Sequence, residues 1–229
     1  MQRAVRGAFE LMAGPNPAES RRRYDRYAAA YDRQLAPLRF AHERIRGDAI
    51  GRLRLRPGDR VIDAGCGTGA SFPGLVAVVG PNGRVIGVDQ SGGMLAQARR
   101  RIARVGWDNV ELIHAPVQQA KLPSGVDAAL FFFTHDLLRT PAALDNVVDA
   151  VRSGGRIAAA GVRRPPVWVL LPVALPALAV MRRYATTTEG LQQPWNLLAD
   201  RVHDTNVELR ILRTIYLAAG TRQRERGAR

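Results

Sequence analysis

The sequence predicts a doubly wound, mostly parallel α/β sheet with an N-terminal helical cap and an apolar insert after the fifth strand. Three observations predict it. Short apolar runs bounded by turn residues recur between Arg60 and Val162. Helix-length segments separate them. A glycine-rich loop, Gly65-Cys66-Gly67-Thr68-Gly69, follows the first run and opens a helix. Parallel strands need a crossover to return to the same edge, so this alternation points to βαβ units.

The elements follow in order. From Glu19 to about Arg56 the pattern is helical, with Tyr24, Tyr27, Ala28 and Tyr31 at helix spacing. Pro57-Gly58-Asp59 is a turn, and Arg60–Ala64 a buried strand. A helix is expected over Ala70–Val79, with Pro73 restricting its first turn. A second strand covers Arg84–Asp89, and Ser91 caps a helix running to about Val105. Val110–His114 and Val126–Phe132 are the third and fourth strands. Pro141–Val151 is helical and Arg156–Val162 is the fifth strand. Beyond Arg164 lies an apolar run, Val167–Val180, between Arg163-Arg164 and Arg182-Arg183. Glu189–Arg201 reads as a helix, and Val207–Leu212 with Thr214–Ala218 as a closing strand pair. The expected organisation is a cap over 1–56, a core over 57–220 with its insert at 165–184, and a disordered tail over 221–229.

With 229 residues the chain can bury a substantial core, and 46% hydrophobic with 24% charged residues suits a globular protein. Its net charge is +14. Such a surplus suggests nucleic acid, an anionic membrane or an acidic partner. The surplus is uneven. Residues 1–60 hold 14 Arg against 7 acids, and residues 151–229 hold 13 Arg against 5. Residues 61–150 hold 7 basic and 8 acidic residues, so the middle is nearly neutral. Cys66 is the only cysteine, which excludes an intrachain disulfide and a Cys-rich metal site; no metal is expected. Met1 to Pro17 lacks the apolar run of a secretory signal, so a cytoplasmic protein is expected. No apolar stretch reaches the ~20 residues of a spanning helix.

The chemistry concentrates at Val61–Gly69 (VIDAGCGTG). Glycines there permit a sharp turn and close approach of the backbone to a ligand. Asp89 ends the next strand, where an acid can hold both hydroxyls of a ribose. Gly65, Gly67 and Ala70 also fit a dinucleotide pattern. Asp63, two residues before Gly65, argues against a pyrophosphate and for a ligand carrying an ammonium group. S-adenosylmethionine has a ribose, no phosphate and an α-amino group.

Val61–Gly69, Val85–Ser91 (VIGVDQS) with Met94-Leu95, the Tyr24-Asp25…Tyr31-Asp32 repeat and the turn Ser153-Gly154-Gly155-Arg156 carry a resemblance. The sequence resembles the Rossmann-like class I S-adenosylmethionine-dependent methyltransferases. It is most similar to the small-molecule group with the ubiquinone/menaquinone-biosynthesis C-methyltransferases and bacterial phospholipid N-methyltransferases. The resemblance implies that Asp63, Gly65, Cys66 and Gly67 surround the methionine part of the cofactor. It implies that Asp89 holds the ribose, that Gln90 and Met94 flank the adenine, and that Tyr31 folds over the cofactor. The family often has an acid after the third strand that bonds the adenine amino group; here Ala115-Pro116-Val117-Gln118 stands instead, and the resemblance implies that Pro116 and Val117 lie beside the adenine, with backbone groups near Val117 or the Gln118 amide in the acid's place. Cys66 reads as a small loop residue, since nothing beside it would activate a thiolate.

Methyl transfer from a sulfonium needs in-line geometry and exclusion of water. The acceptor lies beyond the carboxyl ends of the strands, where the fourth ends in Phe131-Phe132-Phe133-Thr134-His135-Asp136. Phe133 would border the cofactor there. His135 is the candidate base or substrate-orienting residue; the alternative is that it stabilises the following loop with Asp136. His42 and His203 carry no motif. The apolar run at 167–180 is a core helix, a lid over a hydrophobic small-molecule acceptor, or a peripheral membrane contact. A nucleic-acid methyltransferase is the rival reading. Against it, the chain lacks an Asn-Pro-Pro-Tyr motif after the fourth strand and room for a target-recognition domain, so no nucleic acid is expected. The other rival is a non-catalytic S-adenosylmethionine-binding protein.

Overall fold

A computed structural model describes residues 39–163 and 191–223. Tyr24, Tyr27, Tyr31 and the apolar run at 167–180 lie outside the described residues. The described elements are α1 (Arg39–Leu53), β1 (Arg60–Ala64), α2 (Phe72–Val79), β2 (Arg84–Asp89), α3 (Gly92–Val105) and β3 (Val110–His114). They continue as β4 (Val126–Phe132), α4 (His135–Leu138), α5 (Pro141–Ala150), β5 (Val151–Val162), α6 (Asn196–Ala199), β6 (Val202–Arg210) and β7 (Ile215–Arg222).

The sheet order is β3-β2-β1-β4-β5-β7-β6. Strands β1 to β5 pair in parallel, and β7 is antiparallel to both β5 and β6. The order reverses between β1 and β4. At such a switch point the loops after adjacent strands leave in opposite directions and open a crevice beyond their carboxyl ends.

Side chains alternate across a strand, so β1 feeds two apolar layers. Ile62 and Ala64 pack with Leu144 and Val147 of α5 and with Leu198 of α6. Val61 packs on the other face with Ile45 and Ala49 of α1, Phe72 of α2 and Leu95 of α3. Asp63 follows the same alternation and therefore lies on the α1–α2 side.

Most predicted strands recur with the bounds expected, and Ser91 caps α3 by accepting a hydrogen bond from the Met94 N–H at 3.1 Å. Four boundaries differ. Helix α2 begins at Phe72 rather than Ala70, because the glycine turn continues to Ser71. Strand β5 begins at Val151, where the expected helix was to end; its ladder with β4 shifts register between Val126 and Ala128 to absorb the Ser153-Gly154-Gly155 turn. The expected helix over Glu189–Arg201 is reduced, among the described residues, to Asn196–Ala199. Pro194 disfavours helical backbone at Gln193. The closing pair is longer than expected, and its turn is wider and begins earlier, over 211–214. Ile211, Leu212 and Arg213 take φ of 45°, 53° and 63°, so Leu212 belongs to the turn and not to a strand. Thr221 and Arg222, expected in a disordered tail, pair with β5 and β6.

Candidate active site

A cavity of about 760 Å³ opens at the switch point. Its floor is the glycine loop. The Gly65 N–H and the Cys66 N–H both donate to the Val88 carbonyl, at 2.8 and 3.0 Å, which folds the loop over the end of β2. Gly65 has φ +73°, and a Cβ there would lie 2.5 Å from Thr134 Cγ2. Only glycine satisfies both conditions. Gly67 has φ +55° and would meet nothing within 4 Å, so it faces open space.

Two carboxylates border this floor in different environments. Asp89 is held by backbone donors: the Gly67 N–H reaches Oδ2 at 2.8 Å, and the Ser91 N–H reaches Oδ1 at 2.8 Å. Asp63 is 1% exposed, and its Oδ2 has no hydrogen-bond partner among the described residues. Burial pushes its carboxyl up to about 7; Arg46 opposes this, Asp89 adds to it, and the Ser71 hydroxyl opposes it by a hydrogen bond. A buried carboxylate oxygen without a donor is costly. A cationic group in the cavity would offset that cost.

The wall at the end of β4 is aromatic. Phe132 and Phe133 close β4, with ring centroids 4.9 Å apart. Phe133 has φ +58°, a strained value for a bulky residue, and its N–H donates to the Ala160 carbonyl at 2.7 Å. Helix α1 brings His42 against Phe133, with centroids 4.7 Å apart, and Arg46 over Phe132 at 4.7 Å. His42 and Arg46 sit four residues apart and so share one helix face.

Residues 61–155 match the family described as methyltransferase domain. Over that stretch the chain is similar to methyltransferase domains.

Named relatives agree with that domain. The chain is 34% identical over 101 residues to the demethylmenaquinone methyltransferase of Geobacillus kaustophilus, covering 44% of this chain and 43% of that protein. It is 43% identical over 77 residues to the trans-aconitate 2-methyltransferase of Methylobacterium nodulans, covering 33% of this chain and 30% of that protein. The matched stretches thus span less than half of these relatives' own length. Among solved structures the fold is similar to the N-methyltransferase NodS from Bradyrhizobium japonicum. There the TM-score is 0.58 at 17% identity, covering 80% of this chain and 98% of that one.

The cofactor of this methyltransferase class is S-adenosylmethionine, and the site residues fit it. The donor-poor Asp63 Oδ2 suits the α-ammonium group. Arg46, close enough to act on Asp63 electrostatically, suits the carboxylate. Asp89 is placed at the end of β2 for a ribose, and Met94 with Val117 offers apolar surface for a base.

Of the residues expected in the site, Asp63, Gly65, Cys66, Gly67, Asp89, Gln90, Met94, Val117 and Phe133 line the cavity. Pro116 does not; it precedes the short turn of 3₁₀ helix at Val117–Gln119. Tyr31 lies outside the described residues. Cys66 is buried, and burial with Asp63 and Asp89 nearby pushes its thiol well up, consistent with a packing role. His135 begins α4 beside the cavity; its neighbours Thr134 and Asp136 line it and His135 does not. His42, Arg46, Ser71 and Asp136 line it without having been expected. Ser71 was within reach of sequence reading, since it follows the glycine loop directly. His42 and Arg46 carry no local signature, because α1 reaches the cavity only by packing across the sheet.

Proposed function

We propose that this protein transfers a methyl group from S-adenosylmethionine to a small, hydrophobic acceptor. The observation that carries the reading is Asp63: a buried carboxylate with an unpartnered oxygen, beside a glycine turn that a side chain would fill. That arrangement costs stability unless a cation completes it. When bound, S-adenosylmethionine supplies an electrophilic methyl group on a sulfonium. The chain's own residues bind and orient. Asp63 holds the ammonium group, Asp89 the ribose, and the loop backbone lets the ligand approach closely.

The acceptor's apolar character is supported by the rings of Phe132 and Phe133 in the cavity wall. The two named relatives, a demethylmenaquinone methyltransferase and a trans-aconitate 2-methyltransferase, are in keeping with a small molecule. We place the enzyme in the cytoplasm, with peripheral contact to anionic lipid through its basic flanks. Sedimentation with anionic but not zwitterionic vesicles is the expected result. No described helix is long and apolar enough to cross a membrane.

The test of the class is a thermal-shift comparison. S-adenosylmethionine and S-adenosylhomocysteine should both raise the melting temperature and NAD should not, since a ligand of the native state stabilises it. A shift with NAD alone would overturn the reading.

A further inference from the structure

We propose that His42 takes the proton from the methyl acceptor, and that this acceptor is a planar ring carrying an ionisable hydroxyl. The proposal rests on the methyltransferase reading above. Of the four histidines, all within the described residues, His42 alone lines the cavity. His114 Nε2 donates to the Gln90 carbonyl, 3.2 Å away, and His203 lies in the edge strand β6.

Position argues for the acceptor end. Asp89 and Val117 lie over β2 and β3, while His42 lies against Phe133 beyond β4. The sulfur-bearing part of the cofactor, between the Asp63 and Asp89 sites, would point its methyl group toward that aromatic end. A wall of aromatic rings favours a flat partner. His42 is tilted 32° to Phe133 and stands edge-on to Phe132 at 83°, so the three rings pack on one another and together give the cavity an aromatic wall on which a flat partner can stack.

The imidazole is suited to accept a proton. Among the described residues no hydrogen bond engages its ring. Burial, then Arg46, holds its pKa below the usual histidine value, so it is neutral at pH 7. The charged groups lining the same cavity are Glu43 and Arg46 from α1, Asp63 from β1, Asp136 from α4, and more distantly Asp89 and Arg101. In the step, the acceptor O–H proton passes to a His42 ring nitrogen and an oxygen lone pair forms the O–CH₃ bond. The S–CH₃ bond breaks with its electron pair left on sulfur. The products are a methyl ether, S-adenosylhomocysteine and an imidazolium. Repulsion from Arg46 then favours release of that proton to solvent, which half-buried His42 can reach.

The test uses p-nitrophenol as probe, because its phenolate absorbs visibly. The full-length protein is saturated with S-adenosylhomocysteine, and the probe is added at a pH just below its own ionisation. The expected result is growth of the nitrophenolate band on binding. In His42→Gln and His42→Phe the band should stay at the level of the free probe, while S-adenosylhomocysteine affinity is unchanged. With labelled S-adenosylmethionine, turnover of the probe to p-nitroanisole should fall about 10²-fold in both variants. If S-adenosylhomocysteine binds but the band is absent in the parent protein or persists in both variants, the His42 proposal is overturned. If S-adenosylhomocysteine itself does not bind, the methyltransferase reading falls, and this proposal with it.

Discussion

The backbone N–H of Gly67 donates to Asp89 Oδ2 at 2.8 Å, across 22 residues of sequence. One carboxylate therefore both ties the glycine loop to the end of β2 and stands where the ribose is expected. Asp89→Asn keeps the size but replaces a charged acceptor by a neutral one. Hydrogen bonds to charged groups are worth about 1.5–3 kcal/mol. Affinity for S-adenosylhomocysteine should fall by about 10- to 100-fold, as read by titration calorimetry. An unchanged affinity would remove Asp89 from the site.

The two loop glycines should respond differently to the same substitution. Gly65→Ala meets Thr134 Cγ2 at 2.5 Å and sits at φ +73°. Left-handed backbone and overpacking each cost roughly 1–3 kcal/mol. A fall of about 2–5 kcal/mol in stability is expected from chemical denaturation. Gly67→Ala has open space and should lose only about 1–2 kcal/mol. Its expected effect is on cofactor affinity, because the new methyl group stands at the cavity.

Asp63 makes the unliganded protein pH-sensitive. Its folded pKa of about 7 lies above the unfolded value, so the native state binds the extra proton between these pH values. The contribution to stability is fully present below about pH 4 and is lost as pH rises through about 7. Asp63→Asn should remove that slope and make the unliganded protein more stable above pH 7. Cofactor binding should show the opposite sense. The ionised carboxylate is the form that holds an ammonium group, so affinity in the parent protein should weaken as pH falls below about 7. Melting curves and calorimetry across pH 5 to 9 check both; a flat affinity profile would exclude Asp63 as the ammonium partner.

Tyr216 offers a stabilising change away from the site. Its ring is fully buried and packs on Trp195 at 5.2 Å, but its hydroxyl has no partner among the described residues. A buried hydroxyl without a hydrogen bond costs roughly 1–3 kcal/mol. Tyr216→Phe should therefore raise the melting temperature by a few degrees and leave cofactor affinity unchanged. A lower melting temperature would mean that the hydroxyl is satisfied.

How much of this was legible in the sequence varies with distance along the chain. Strands β1 to β4 read clearly because each is a short apolar run between turn residues. The cofactor floor read equally well: loop, strand ends and Asp89 lie within one βαβ unit, where local spacing sets geometry. The closing hairpin was harder. Its partners pair across the sheet, and Asp204 with φ 52° interrupts the β6 ladder. Thr221 and Arg222 looked like a polar tail but are held by β5, with Arg156 Nη1 donating to Thr221 Oγ1 at 2.9 Å.

The sequence by itself determined the parallel sheet, the glycine turn and the two acids that border it. Backbone conformation and strand register are local matters, and Gly65, Asp63 and Asp89 declare them through residue type and spacing. Tertiary structure alone decided the acceptor end. It took His135, the histidine nearest the fourth strand in sequence, off the cavity wall, and it brought His42 from a helix 90 residues upstream of Phe132 onto it. Burial is likewise a property of the fold. Asp63 becomes a buried acid with one unpartnered oxygen and a pKa of about 7 only when α1, α2 and the sheet close around it, because desolvation depends on neighbours that no local motif records.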